Sequence, residues 1–343
     1  MLKISSGRML YYGKGDVFAY RTYAKPLSVS AVPESSFAGD PNVIFAHNIT
    51  FAVSSDSLLT SFTEGDNSNV VATDSMKNFI LRHCADYEGS TTEGLIAFVS
   101  ARFIEKYPHI SAIEIGADRI PFESLNVAGE SGFENSGLVY RRSHNEHAGA
   151  VMVLERVAHE GAQVVSLWSG LSDLQLIKVS GSSFYGFIRD EYTTLPDSYD
   201  RPLFIFLNIK WRYAEADDAL KGESGSYVAA EQVRDIAHHV FHEYKTPSIQ
   251  YLIVQIGRRI LTRFPQLAEI RFESNNRTWE TVVEPDAVTG AGVFTEPRPP
   301  FGFQGFSMTR EDLGAVEGME SSQDRESIEA GTGTSPAAAG QPK

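Results

Sequence analysis

Residues 90–115 read STTEGLIAFVSARFIEKYPHISAIEI, and residues 247–272 read PSIQYLIVQIGRRILTRFPQLAEIRF. Laid over each other at an offset of 157, the two stretches agree in more than apolar spacing. Leu95-Ile96 meets Leu252-Ile253, and Tyr107-Pro108 meets Phe264-Pro265. The same offset places VATDSMKNFI (71–80) over VAAEQVRDIA (228–237), with no gap between 71 and 115. Any two amphipathic helices share a period, but aligned prolines under one offset point to an internal duplication.

Each copy has the same parts. A first helix is expected from near Asp74 or Glu231, and a second from Ser90-Thr91 or Ser248. Ser90 and Glu93 have capping-box spacing, a hydroxyl followed three residues later by a carboxylate. Pro108 and Pro265 end the second helices, since proline lacks the N–H and restricts the residue before it. Strands AIEIGA and EIRFES follow. Upstream lie the strand-like runs GDVFAYRTYA and VIFAHNITFAV in the first copy, LQLIKVSGSSFYGFIRDEYTT and PLFIFLNIKWRY in the second. Their alternation suits antiparallel strands with one covered face. The unit is therefore strand–strand–helix–helix–strand–strand, an α+β arrangement with a helix pair on one face of the sheet. Two units, residues 1–150 and 151–315, precede a Gly-, Ser-, Ala-, Glu- and Pro-rich tail, 316–343, that reads as disordered. Four-stranded antiparallel sheets leave open edges, so closure into a barrel on oligomerisation is expected.

The 44 acidic against 30 basic residues give a net charge of −14, which disfavours nucleic acid as the main partner. No run approaches the roughly 18 apolar residues of a membrane span, and MLKISSGRML lacks the apolar core of a signal peptide. A single cysteine, Cys84, excludes an intrachain disulfide framework and a cysteine metal cluster. A bacterial cytoplasm is the expected location.

At Thr73-Asp74 an apolar run hands over to a helix, with a hydroxyl beside a carboxylate suited to capping. A helix start also presents unpaired N–H groups and a partial positive charge to an anion. The copies differ here, Ala230 and Glu231 standing opposite Thr73 and Asp74. They differ again where Gln250 stands opposite Glu93. A carboxamide offers donors and an acceptor where a carboxylate only accepts, which suits an anionic heterocycle with C=O and N–H edges.

YGKGDVFAY, NSNVVATDSMKN, FYGFIRDEYTTL, Ile249-Gln250, ESNNRTWE and TEPRPPFGFQGF occur in that order between residues 9 and 314. Together they resemble the urate oxidase (uricase) family, most closely its Bacillus-type branch. The resemblance implies two tandem tunnelling-fold (T-fold) domains in a homotetramer with active sites at subunit interfaces. It implies oxidation of urate by O2 and water to 5-hydroxyisourate and H2O2 with neither metal nor organic cofactor. Carried over residue by residue, it assigns Arg201 and Gln250 to grip the pyrimidine edge of urate and Phe184 to lie flat on the purine. The Ile249 backbone adds a hydrogen bond, and Asn276 holds oxygen or water above the ring. From another subunit, the Asp74 amide meets the imidazolone edge and the Thr73 hydroxyl faces the O2 or water position, with Lys14 and Thr73 as a proton relay. Where many relatives place a relay histidine two residues after the asparagine, this chain has Thr278. That departure concerns the relay, not the binding site.

Two other readings compete: a T-fold enzyme acting on a pterin or another purine, and a non-catalytic urate binder. Pterin-type relatives anchor their heterocycle with a glutamate, and many hold zinc, whereas this chain has Gln250 and no Cys–His cluster. His238 and His242 could share a helical face near Glu243, but the H-E-x-x-H spacing is absent. RPPFGF reads as a semi-rigid arm crossing a neighbour.

Overall fold

The computed structural model describes residues 2–129, 131–157, 161–222, 225–277 and 279–314. The tail expected from 316 and Thr278 lie outside the described residues. Eight strands form one antiparallel sheet in chain order. They are β1 (Tyr12–Thr22), β2 (Ile44–Ser54), β3 (Ala112–Arg119), β4 (His147–Val157), β5 (Gly161–Lys178), β6 (Leu203–Tyr213), β7 (Leu267–Asn276) and β8 (Gly302–Thr309). Helices α1 (Thr73–Asp86) and α2 (Thr92–Lys106) are inserted between β2 and β3. Helices α3 (Ala230–Glu243) and α4 (Ile249–Arg263) are inserted between β6 and β7.

Both ends of both helix pairs recur at the offset of 157. Even the stops match: Tyr107 and Phe264, each before a proline, carry φ −118° with ψ 83° and 82°. The proline fixes that geometry by disfavouring helical backbone at the preceding residue. β2 and β6 stand 159 apart instead, so the connection ahead of the second helix pair is two residues shorter than in the first copy. Strand β4 runs through residue 150, so a division of the chain there would cut it.

The helices cover one sheet face. Along β6 the buried residues Leu203, Ile205, Leu207, Ile209, Trp211 and Tyr213 alternate with more exposed ones, the period-2 pattern of a strand with one covered side. Leu252, Ile253, Ile256 and Ile260 of α4 answer at helical spacing. Gly257 lets that helix lie close, because a Cβ there would sit 3.1 Å from the Phe272 ring and 3.3 Å from the Met308 sulfur.

Several local expectations change. Ala72, not Thr73 or Asp74, is the N-cap of α1, and it supplies no side-chain hydrogen bond. The cap of α2 is Thr91, whose hydroxyl accepts from the Gly94 amide at 3.1 Å, so Ser90 and Glu93 form no capping box. The strand expected through FYGF ends at Lys178, and Phe184 lies in the connection to β6, held by reciprocal backbone bonds with Ser198. Of the expected arm RPPFGF, only the last two residues, Gly302 and Phe303, belong to strand β8.

Candidate functional site

The sequence-predicted residues gather in two groups. Phe184, Arg201, Ile249, Gln250 and Asn276 line one pocket of about 150 Å³, together with Gln304. None of Lys14, Thr73 and Asp74 lines it. Thr73 and Asp74 instead open α1, and the Lys14 charge is felt at the Asp74 carboxyl.

In the pocket, Arg201 sits over the Phe184 ring, its guanidinium carbon 5.4 Å from the centroid. Among the described residues no carboxylate lies within ion-pair distance of Arg201; the neighbouring Asp200 accepts from the Gly181 amide at 2.6 Å instead. Burial alone pulls the Arg201 pKa below the ordinary arginine value. It remains a cation near neutrality, since arginine stays protonated in proteins. The Ser248 hydroxyl caps α4 by accepting from the Tyr251 amide at 3.1 Å. That leaves the Ile249 and Gln250 amides, the first two of the helix, without an intrahelical acceptor. Unpaired arginine, free helix-start amides and an exposed carboxamide make a socket for a planar anion.

The second group is built by β1. The Tyr12 hydroxyl accepts from the Val71 amide at 2.8 Å and donates to the Val71 carbonyl at 3.1 Å, fastening the strand to the approach to α1. Lys14 lies two residues on, so it shares the face of Tyr12. A bulge at Gly15-Asp16, with Asp16 at φ 53°, then restores the helix-facing side to buried Val17 and Ala19. With no side-chain cap at Ala72, the amides of Thr73 and Asp74 lack a partner from the helix itself. The Asp74 carboxyl turns away to Lys77 at 2.7 Å and Asn78 at 3.0 Å. The Lys77 hydrogen bond, with smaller effects from Asn78 and Lys14, holds it below the usual carboxylate range. Thr278 is outside the described residues; beside it, Arg277 lies over the Phe206 and Phe301 rings at 4.5 and 5.4 Å.

The equivalent polar groups in the first half are paired with other residues of the chain. Asn42 and Arg119, which correspond to Arg201 and Asn276, bond to each other at 2.7 Å. Glu93, opposite Gln250, is buried and accepts from Ser169 and, at 3.1 Å, from Tyr227. Burial pushes its carboxyl pKa up, and the hydrogen bonds from Ser169, its own backbone and Tyr227 offset only part of this. A raised folded-state pKa gives an acid stability that is complete below its unfolded value, about 4.3, and lost as pH rises through the folded value. Glu93→Gln, which does not titrate, is therefore expected to gain thermal midpoint relative to the native chain as pH rises above the unfolded value of about 4.3. A difference that is flat with pH would remove the titrating carboxyl from this account.

The histidines of α3 do not converge. His239 lies 3.8 Å from Glu243, whose carboxylate is held by Arg259 at 3.0 Å. No group of three or more potential metal ligands occurs among the described residues.

The uricase profile matches residues 33–151 and 167–304, most of the chain and both helix pairs. The chain belongs to the uricase family. It is 50% identical over 306 residues to a uricase of Haloferax volcanii, covering 88% of this chain and 98% of that one. It is 53% identical over 307 residues to a uric acid degradation bifunctional protein of Bacillus sp. TB-90, covering 89% of this chain. It spans only 61% of that longer protein. Against a uricase of Emericella nidulans identity drops to 28%, so the likeness runs to the Bacillus branch of the family. Among solved structures, a uricase from Bacillus fastidious shares 55% identity with a TM-score of 0.88, over 90% of this chain and 96% of that one. A urate oxidase mutant from Bacillus sp. TB-90 gives 0.86 at 53% identity, over 89% and 99%. Of the residues lining the pocket, Gln304 is one that the sequence alone does not single out. Its only signal is one polar side chain among the aromatic residues of FGFQGF.

Proposed function

We propose that this chain is a urate oxidase, converting urate, O2 and water to 5-hydroxyisourate and H2O2 without metal or organic cofactor. The observation that carries the reading is the pocket that unites Phe184, Arg201, Ile249, Gln250 and Asn276 around an unpaired guanidinium. Arg201 and Gln250 hold the pyrimidine edge of urate, the Arg201 fork matching a planar anion. Phe184 supports the ring from one side. The Ile249 amide adds a donor at the start of α4.

Triplet O2 reacts poorly with closed-shell molecules, so the protein must make the purine electron-rich enough to give up one electron. Lys14 and Thr73 remove the second proton of urate, with Thr278 where relatives carry a histidine. The dianion passes an electron to O2 near Thr73 and Asn276, and the two radicals combine at C5. Water then replaces the peroxide, giving 5-hydroxyisourate and H2O2. Two tandem T-fold units build a homotetramer in which Lys14, Thr73 and Asp74 of one subunit complete the pocket of another. Two features support that assembly: the division of the site into two groups within one chain, and the unpaired outer strands β1 and β8.

Urate loss and O2 uptake, followed together in chelator-treated buffer, test this. The native protein is expected to consume both in equal amounts as H2O2 appears. Thr73→Ala is expected to bind urate and lose about 100-fold in turnover, and Thr278→Ala shows whether that hydroxyl shares the relay. A native protein that binds urate but takes up no O2 is a binder, and the oxidase reading fails.

A further inference from the structure

We propose that Gln304 is a positioning residue that fixes which end of the Asn276 carboxamide faces the bound substrate; this rests on the urate oxidase reading. Ser274 and Gln304 are direct partners across β7 and β8, and Asn276 lies two residues along β7 on the same face. The buried Ser274 hydroxyl donates to Gln304 Oε1 at 3.0 Å, and Gln304 Nε2 donates to Asn276 Oδ1 at 3.3 Å. Every link runs in one direction, so the Asn276 oxygen is engaged and its NH2 group is left for the pocket. Gly302 leaves room for this, since a Cβ there would come 3.0 Å from Asn276 Oδ1.

The orientation matters because the two ends of a carboxamide have opposite effects on an anion. An NH2 group aimed at a developing superoxide or peroxide stabilises it, and a carbonyl in the same place repels it. Phe184, Arg201 and Gln250 hold the purine whichever way Asn276 points. Gln304 therefore acts on the oxygen step more than on urate binding.

Gln304→Glu tests this with almost no change of shape. An ionised carboxylate only accepts, so Asn276 must turn its NH2 towards position 304 and present its carbonyl to the pocket. Expected is a fall in kcat of about 10- to 100-fold, since loss of a preorganised donor costs up to about 10²–10³ in kcat. KM and the Kd of an unreactive purine analogue should stay within about twofold, because binding that is equal in ground and transition states is untouched. Activity should partly return at acid pH, where the introduced carboxyl is protonated and donates again. Ser274→Ala, which frees Gln304 to rotate, should move kcat the same way by less and without the acid recovery. The proposal is overturned if kcat of Gln304→Glu is unchanged, or if KM rises with kcat intact. It is equally overturned if both variants lose activity only in proportion to folded protein. A native chain that does not oxidise urate fails before any variant is compared, which separates failure of the function from failure of the positioning role.

Discussion

Replacing Arg201 by methionine is expected to remove nearly all urate oxidation and, at the same time, to leave the protein no less stable. Both follow from the state of this guanidinium: half-buried, over the Phe184 ring, and without a carboxylate partner among the described residues. Truncating one member of a desolvated charge pair costs about 2–5 kcal/mol. With urate as the other member, kcat/KM should fall about 10²- to 10³-fold. Among the described residues the charge has no such partner, so its partial burial is a modest cost, discounted by solvent screening, that Arg201→Met relieves. Steady-state kinetics and thermal unfolding with and without an unreactive purine analogue read both effects. The analogue should raise the native midpoint far more than that of the variant, since ligand stabilisation follows affinity. A variant that is destabilised yet still turns over urate would make Arg201 a structural residue.

Glu34→Ala should show the reverse, a large loss of stability with turnover nearly intact. Glu34 lies in the connection between β1 and β2, yet it is clasped by the last turns of α4, 3.0 Å from Arg259 and 2.9 Å from Arg263. Its side chain is only 2% exposed. Nearby, Ser35 donates to Asp235 at 2.5 Å and Gln232 donates to the Ser30 carbonyl at 2.8 Å. Removing the carboxylate leaves Arg259 with Glu243 alone and takes the Glu34 carboxylate from Arg263, two like charges four residues apart on one helix face. The arginines can regain some water, so the loss should be about 2–3 kcal/mol, or roughly 5 °C in midpoint. Burial pushes the Glu34 pKa up, but the hydrogen bonds from Arg263 and Arg259 outweigh it and hold it below the usual range. A depressed pKa contributes stability above the unfolded value that is lost as pH falls through the folded one. The gap between native and variant should therefore close in acid. Gln250 stands at the opposite end of α4, so kcat should change little. A variant as stable as the native chain at neutral pH would show the clasp to be idle.

The duplication was legible because it is written in local signals. Apolar spacing and two prolines give the presence and approximate ends of α2 and α4, and the family motifs point to five residues that share a pocket. Glu93 shows where local signals stop. Three residues from Ser90 it looked like half of a capping box, but Ser169 and Tyr227, far along the chain, draw it inward. The apolar and aromatic neighbours of Phe184 suit a strand, yet β5 has already ended at Lys178. The hairpin of Phe122–Gly129 and Gly132–Arg142 also went unread, since most of its residues are exposed and carry little of the one-sided pattern. Gln304 carries no local meaning until β8 lies beside β7.

The order of the sheet puts Lys14 on its first strand and Gln304 on its last. In the proposed assembly, the base and the oxygen-orienting pair that serve one urate molecule are thus encoded together but employed on separate copies. A change in one cannot be repaired by its own chain-mate within the same molecule. Only a neighbour carrying the same allele meets it. If the proposed assembly holds, selection on this catalyst acts on the ring of chains, and the single polypeptide is a link with half of a tool at each rim.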